Sequence, residues 1–256
     1  MPELDVVLLL CLAAGFAGWI DAVSGGGGLV QIPALLILLP GASPAQILAT
    51  NKVSSICGTS VAATTYYRRV RPDLRTALPM AGIAMVGAAL GALCASFISV
   101  DVFRPLVLIL VVLVGGYVLL HPQVGEVQSL RWTGRRHHVA AAAGGLGLGF
   151  YDGIFGAGTG TFLLFLLVGL LGYSFLQGSA TARIVNLATN IGALAVFAAQ
   201  GAPMWRVGLV MGACNVAGGW LGAHTAIRRG SRFVRAVFLV VVAALAVRLS
   251  YDIVHG

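Results

Sequence analysis

Runs of apolar residues long enough to cross a lipid bilayer recur along this chain. Three of them, at 4–20, 102–120 and 236–249, each contain one charged residue. A helical span needs about 20 predominantly apolar residues, and the backbone inside hydrocarbon must be satisfied within the segment. Charged residues make up 9% of the 256 residues, whereas soluble domains carry about 25%. The sequence therefore predicts an all-α polytopic membrane protein surrounded by a lipid bilayer.

The basic residues indicate topology rather than a nucleic-acid partner. The net charge is +8, and eleven of the 16 cations fall in three short clusters between apolar segments. Lys and Arg are enriched in short cytoplasmic loops, so the clusters are assigned to the inside. The acidic start, with Glu3 and Asp5, differs from the basic n-region of a signal peptide, and the first run is expected to remain as a helix. The clusters are Arg68, Arg69, Arg71 and Arg75; Arg131, Arg135 and Arg136; and Arg228, Arg229, Arg232 and Arg235.

The chain repeats itself with an offset of 131 residues and no gap. Equivalent loops have opposite Lys/Arg bias: the loop at 68–75 holds four arginines, and its counterpart at 199–206 holds one. The sequence therefore predicts two repeats of inverted topology, an arrangement common in transporters. Aligned residues include Asp21 with Asp152, Gly25 with Gly156, Gly27 with Gly158, Lys52 with Arg183, Pro72 with Pro203, Gly87 with Gly218 and Gly91 with Gly222.

Each repeat divides into five apolar elements. They lie at about 4–23, 28–39, 44–66, 75–98 and 103–120, and at about 138–154, 159–171, 175–198, 206–227 and 234–252. The predicted domains are an N-terminal transmembrane repeat at 1–125, a basic cytoplasmic linker at 126–137 and a C-terminal transmembrane repeat at 138–256. The second element spans about 18 Å, too little to cross alone. The sequence leaves open whether the first two elements span the bilayer or form a re-entrant hairpin.

Matching Gly-rich segments at 21–28 and 152–160 predict broken helices near the membrane midplane. Glycine runs interrupt helices and leave backbone N–H groups without intrahelical partners, which suits an anion at the start of the next helix. Discontinuous helices in corresponding positions of two halves indicate a transporter's binding site. Gly26, Gly27, Gly158 and Thr159 are therefore candidate substrate-binding residues. The alternative is that the glycines only permit close helix packing.

A cation stands at the same place in the third element of each repeat. Lys52 is the only lysine of the chain, and Arg183 is its counterpart. A charge inside the bilayer is unfavourable by about 2.5–3.5 kcal/mol and marks a pathway or a buried pair. We expect both cations to contact an anionic substrate. Polar residues of the same helices are candidate ligands: Asn51, Ser54, Ser55, Asn186 and Asn190.

Two other interpretations of the cations remain open. In one, each cation pairs with the acid of its own repeat, Lys52 with Asp21 and Arg183 with Asp152; in the other, each snorkels to an interface. The two acids are also candidate coupling residues, because a partly buried carboxylate can carry a proton in a coupled transporter. Accepting hydrogen bonds from the glycine amides is an equally open role. The coupling ion, H⁺ or Na⁺, is not fixed by the sequence.

Other features of the chain predict no chemistry. Four cysteines stand alone in apolar stretches, and His121, His137 and His138 are assigned to a solvated central linker, so no metal or cofactor is expected. His224 is expected to be a satisfied polar residue. The faces Gly87-xxx-Gly91 and Gly218-xxx-Gly222 are typical of close helix packing, within one protein or in a homodimer. No soluble enzyme motif occurs in a suitable context.

Four segments resemble the TauE/SafE family of sulfite exporter-like permeases. They read GFAGWIDAVSGGGGLVQIPALL at 15–36, ATNKVSS at 49–55, GFYDGIFGAGTGTF at 149–162 and TARIVNLATN at 181–190. Ala157 departs from the family pattern, where proline is expected. The resemblance implies a permease of the cell inner membrane for sulfur-containing anions such as sulfite or organosulfonates.

The expected function is therefore secondary transport of a small sulfur-containing anion through a site between the repeats. Two alternatives remain: a membrane partner that delivers a sulfur compound to an enzyme, and an anion channel. An enzyme is not expected.

Overall fold

A computed structural model describes residues 3–95, 120 and 125–255, and these residues form helices and short connections without a strand. The predicted element at 103–120 lies, except for its last residue, outside the described residues. The helices are α1 Leu4–Ser24, α2 Gly27–Leu38, α3 Pro44–Val70, α4 Leu74–Cys94, α5 Gly134–Ile154, α6 Thr159–Phe165 with a π-helical continuation Leu166–Leu170, α7 Phe175–Ala199 and α8 Trp205–His255.

Three of the described helices are long and apolar enough to cross a bilayer. They are α1, α4 and α7, of 21, 21 and 25 residues. At 1.5 Å per residue each reaches about the thickness of the hydrocarbon core. The prediction of a helical fold is confirmed for the described residues, and three of their helices could span a membrane.

The helix boundaries follow the 131-residue register. Ser43 caps the start of α3 by accepting a hydrogen bond from the Gln46 amide. Its counterpart Ser174 caps α7 by accepting one from the Gln177 amide. A serine hydroxyl at this position satisfies one of the free N–H groups of the first turn. The same local signal therefore starts both helices that carry a buried cation.

Two predicted boundaries differ from the structure. Helix α5 begins at Gly134, so the last four residues of the predicted linker are helical and not a loop. The predicted basic loop at 228–235 is also helical, and α8 is interrupted only at Gly230, with φ 73° and ψ −170°. Glycine adopts this backbone conformation without steric clash. One residue therefore redirects the chain where a loop was expected.

Helices of one half pack on helices of the other. The main partners are α1 with α8, α4 with α5, α3 with α8, and α4 with α7. At the α4–α5 contact, a Cβ at Gly87 would come within 2.5 Å of the Leu146 carbonyl oxygen. At the α1–α8 contact, a Cβ at Gly218 would overlap the Gly15 carbonyl. Both small-residue faces therefore pack within the protein, and a homodimer, which stays a prediction, would need another surface.

Helices α3 and α7 run in opposite directions past each other. The Gln177 side-chain amide, near the start of α7, donates to the carbonyl of Val70 at the end of α3. Beyond the far end of α7, the Met204 amide donates to the Thr50 hydroxyl near the start of α3. This antiparallel pair carries both buried cations.

Candidate anion site at the junction of the helix breaks

Both Gly-rich segments interrupt helices, as the sequence predicts. Helix α1 ends at Ser24, and Gly25 caps it in a left-handed conformation with φ 94°. Helix α2 then begins at Gly27. The second break runs from Phe155 to Gly158, where Gly156 and Gly158 have φ of 69° and 77°. Positive φ at three positions explains the need for glycine there.

The two breaks lie directly against each other. A Cβ at Gly25 would overlap the backbone of Gly160, and a Cβ at Gly28 would come within 2.8 Å of the Gly156 carbonyl oxygen. Close packing is thus one role of these glycines, because no side chain fits between the two backbones. Gly26 and Gly27 are buried at the same junction, where a Cβ at Gly27 would lie 2.6 Å from the Asp21 Cβ.

Lys52 forms a buried ion pair with Asp152. Its Nζ lies 2.6 Å from Asp152 Oδ2, and each side chain is 1% exposed. The same ammonium lies beside the second break, since a Cβ at Gly156 would be 3.0 Å from it. The pair joins α3 of the first half to the end of α5 in the second.

Arg183 forms the equivalent ion pair with Asp21. Its Nη1 lies 2.9 Å from Asp21 Oδ2 and also donates to the Asp21 carbonyl oxygen. Thr59 donates to the same carboxylate at 3.3 Å. The guanidinium is fully buried, whereas the Asp21 side chain is 16% exposed. This pair joins α7 of the second half to the end of α1 in the first.

Both ion pairs cross between the halves of the chain. Pairing of each cation with the acid of its own repeat was wrong, because α3 and α7 each cross to the other half's broken helix. Snorkelling was wrong as well, since both cations are enclosed by protein. The 131-residue offset converts one pair into the other. Such an exchange is expected when two similar halves interlock.

The buried C-terminal end of α1 receives further donors that the sequence gave no reason to select. The Tyr66 hydroxyl donates to the Ala22 carbonyl at 3.0 Å, and the Ser179 hydroxyl donates to the Val23 carbonyl at 3.1 Å. These two hydroxyls satisfy carbonyls that a broken helix leaves free. Their counterparts in the other half are Phe197 and Leu48, which have no hydroxyl group. The repeat alignment therefore does not point to Tyr66 or Ser179.

Buried polar atoms without a partner concentrate around this junction. Arg183 Nε and Nη2 have none, and neither do the hydroxyls of Thr159 and Thr161, which flank Gly160. Buried polar groups are normally hydrogen-bonded, so a concentration of unpartnered ones marks a place for water or a ligand. Further unpartnered atoms on the helices that carry the two cations are Asn51 Oδ1, Ser54 Oγ and the Thr181 hydroxyl.

The other predicted ligands lie farther along the same helices. Asn190 donates to the Asn186 carbonyl at 2.8 Å, and the Thr189 hydroxyl donates to the same oxygen at 2.9 Å. These side chains therefore bond within α7, beyond Arg183 in the sequence. Ser55 is half-buried on α3. At the second break, the Tyr151 hydroxyl donates to the Ala157 carbonyl at 2.7 Å and holds the turn that lacks the expected proline.

The histidines differ from the sequence prediction in one case. His137 is buried in the first turn of α5, and its Nε2 lies 3.2 Å from both the Thr76 and Tyr173 hydroxyls. The prediction of a solvated residue was wrong, because helix α5 begins before it. His224 Nδ1 donates to the Trp220 carbonyl at 2.9 Å, as expected for a satisfied polar residue. His121 lies outside the described residues.

No metal cluster of three His, Cys, Asp or Glu side chains occurs in the part of the chain that the structure describes. The four cysteines are free and half-buried. The chemistry available at the junction is therefore that of one ammonium, one guanidinium, two carboxylates and a set of hydroxyls.

Comparison with known proteins identifies the family. The family model described as "Sulfite exporter TauE/SafE" matches residues 10–249. The chain belongs to the TauE/SafE family. It is 38% identical over its whole length to "Probable membrane transporter protein ORF9" of Sinorhizobium sp, covering 97% of that protein.

Two further relatives of the TauE/SafE chain carry similar names. "Probable membrane transporter protein YfcA" of Escherichia coli K12 is 37% identical over 97% of the chain and 90% of the relative. A "Probable membrane transporter protein" of Haemophilus influenzae is 32% identical over 97% of the chain and 96% of the relative. No solved structure matches the chain significantly. The chain is thus a membrane transporter of the TauE/SafE family.

Proposed function

We propose that the protein is a secondary transporter that moves a small sulfur-containing anion, such as sulfite or an organosulfonate, across the cell inner membrane. The observation that carries the proposal is the fully buried Arg183, whose guanidinium keeps two nitrogen atoms unpartnered at the junction of the breaks. A cation in that position attracts an anion, and the family description names sulfite. The proposed substrate site is the junction of the glycine-rich breaks, beside which the nitrogen atoms of Arg183 and Lys52 lie.

The proposal includes two inverted repeats around this site. The antiparallel arrangement of α3 and α7 supports it, because these helices are counterparts in the 131-residue register. The helix contacts also support it, because the 131-residue offset converts the α1–α8 contact into the α5–α4 contact. The two crossed ion pairs are related in the same way. Transporters of this kind alternate access by moving one repeat against the other around a fixed site.

Charge balance favours coupling to a cation. Lys52, Arg183, Asp21 and Asp152 sum to zero when all four are ionised, so a bound anion leaves the buried junction with net negative charge. An uncompensated charge in a low-dielectric interior is strongly unfavourable. A proton or Na⁺ that binds with the anion removes this penalty. Asp21 is the better candidate to bind a proton, because its side chain is more exposed to solvent than that of Asp152.

Flux into proteoliposomes tests the function. We expect saturable uptake of at least one of sulfite, thiosulfate, sulfate and methanesulfonate, and faster uptake under an inward proton or sodium gradient. Liposomes without protein serve as the blank. Liposomes with Arg206→Ala, a change at an exposed residue of α8, serve as the control for a substitution outside the site. Absence of protein-dependent flux for every sulfur anion would refute the proposed substrate class.

A further inference from the structure

The two cations of the junction are not equivalent, although the repeat register aligns them. The Lys52 ammonium has a carboxylate oxygen 2.6 Å away and no unpartnered nitrogen. Arg183 directs Nη1 to both the carboxylate and the carbonyl of Asp21, while Nε and Nη2 have no partner. Arg183 therefore keeps two nitrogen atoms that no protein acceptor binds, whereas the Lys52 nitrogen is held by a carboxylate.

The free donors of Arg183 form one edge of the guanidinium plane. Nε–H and one N–H of Nη2 point in parallel from this edge, which matches two oxygens of a single carboxylate, sulfite or sulfonate group. A lysine has no such edge because its ammonium is a point charge. The ion pair with Asp21 holds the opposite side of the guanidinium and fixes the plane.

Two hydroxyl groups of the segment beside this edge also have no hydrogen-bond partner in the protein. A Cβ at Gly160 would come within 2.8 Å of Nη2, so the backbone of α6 lies beside the edge. Thr159 and Thr161, on either side of Gly160, are 1% and 0% exposed, and their hydroxyls have no hydrogen-bond partner. Fully buried donors that the protein leaves unsatisfied are unfavourable unless a ligand or water binds them.

We propose that the Nε–Nη2 edge of Arg183 binds two oxygens of one oxyanion per chain, with Thr159 and Thr161 as neighbouring hydroxyl ligands. Lys52 is then the counter-ion of Asp152 and not a second binding group. This inference rests on the proposed function for its substrate class. It requires a ligand with two oxygens on one atom, so chloride binds weakly at the same site.

Binding to the purified, detergent-solubilised full chain tests the site without transport. Methanesulfonate, sulfite and chloride are titrated while thermal unfolding is followed. We expect Arg183→Lys, which keeps the charge for Asp21, to weaken methanesulfonate binding by about tenfold or more and to abolish the preference over chloride. Arg206→Lys makes the same chemical change at an exposed residue and should leave both affinities unchanged. Equal affinity in wild type and Arg183→Lys would overturn the proposal.

A second variant covers the case in which Arg183→Lys does not fold. Thr159→Val with Thr161→Val removes two hydroxyls that have no protein partner and keeps the branched shape. We expect unfolding temperature without ligand to stay the same or rise, and methanesulfonate affinity to fall several-fold. Unchanged affinity in this variant would also overturn the proposal.

The binding and flux experiments separate the two proposals. Loss of methanesulfonate binding in these variants, without any sulfur-anion flux in wild type, would leave the site standing and refute the transport function. Sulfur-anion flux in wild type, with no oxyanion binding at Arg183, would leave the function standing and refute the site.

Discussion

The charged residues at the junction act as two interdependent pairs. Lys52 and Asp152 are each 1% exposed, and neither has another charged partner of opposite sign within salt-bridge distance in the described part of the chain. Removal of one member of a buried pair leaves an isolated charge, which is unfavourable by about 3–5 kcal/mol. Removal of both members leaves two neutral groups and is often tolerated. Stability should therefore depend on which residues are removed together.

The crossed pairing predicts a specific rescue. Lys52→Met alone should destabilise the protein by about 3–5 kcal/mol and lower its unfolding temperature in detergent. Adding Asp152→Asn should restore most of the loss, because it removes the charge left behind. Adding Asp21→Asn should instead lower stability further, since it also leaves Arg183 without its carboxylate. Rescue by Asp21→Asn and not by Asp152→Asn would mean that each cation pairs within its own repeat.

The sequence selected the four charged residues as candidate site residues, but it did not predict which acid pairs with which cation. The register places Lys52 on Arg183 and Asp21 on Asp152 because each repeat carries one cation and one acid at fixed spacing. Which acid meets which cation depends on how the halves interlock, and no local pattern encodes this. The same limit applies to Tyr66 and Ser179. Thr59 was more accessible to prediction, because its counterpart Asn190 is also polar.

At the scale of elements, the breaks allow four helix ends to meet. Helices α1 and α2 turn at Gly25 and Gly26, and the second break turns at Gly156 and Gly158. Sequence predicted these boundaries within a few residues, because glycine runs and serine caps are local signals. The sequence did not predict that 228–235 is helical. A loop was expected there because of the basic cluster, but only Gly230 interrupts the helix.

Gly25 should be the most sensitive position of the first break. Alanine there would adopt an unfavourable φ of 94° and place its Cβ on the backbone of Gly160. Each effect is unfavourable by about 1–3 kcal/mol. We expect Gly25→Ala to yield little monodisperse protein on gel filtration. Gly41→Ala, in a turn with nothing within 4 Å of the new methyl group, is the matched control and should behave as wild type. Normal yield and stability of Gly25→Ala would contradict the close contact of the breaks.

At the scale of the whole molecule, the halves are interlocked rather than side by side. Helix α1 packs on α8 and α5 packs on α4, and these two contacts are exchanged by the 131-residue offset. The glycines at the contacts are exchanged in the same way, since Gly87 lies against Leu146 and Gly218 against Gly15. In the proposed inverted arrangement, the two ends of the molecule would be similar in structure. This arrangement suits a carrier that presents one central site to each side in turn.

Inverted topology predicts opposite sidedness for counterpart residues. Arg69 lies at the end of α3 and Gln200 at the end of α7, they are related by the offset of 131, and both are exposed. In a background with alanine at the four native cysteines, Arg69→Cys should react with a membrane-impermeant maleimide only from the cytoplasmic side. Gln200→Cys should react only from the outside, because α7 runs opposite to α3. Intact cells and inverted vesicles provide the two exposures, and labelling after detergent lysis shows that both cysteines are reactive. Labelling of both positions from the same side would exclude inversion and, with it, alternating access built on exchange of the two repeats.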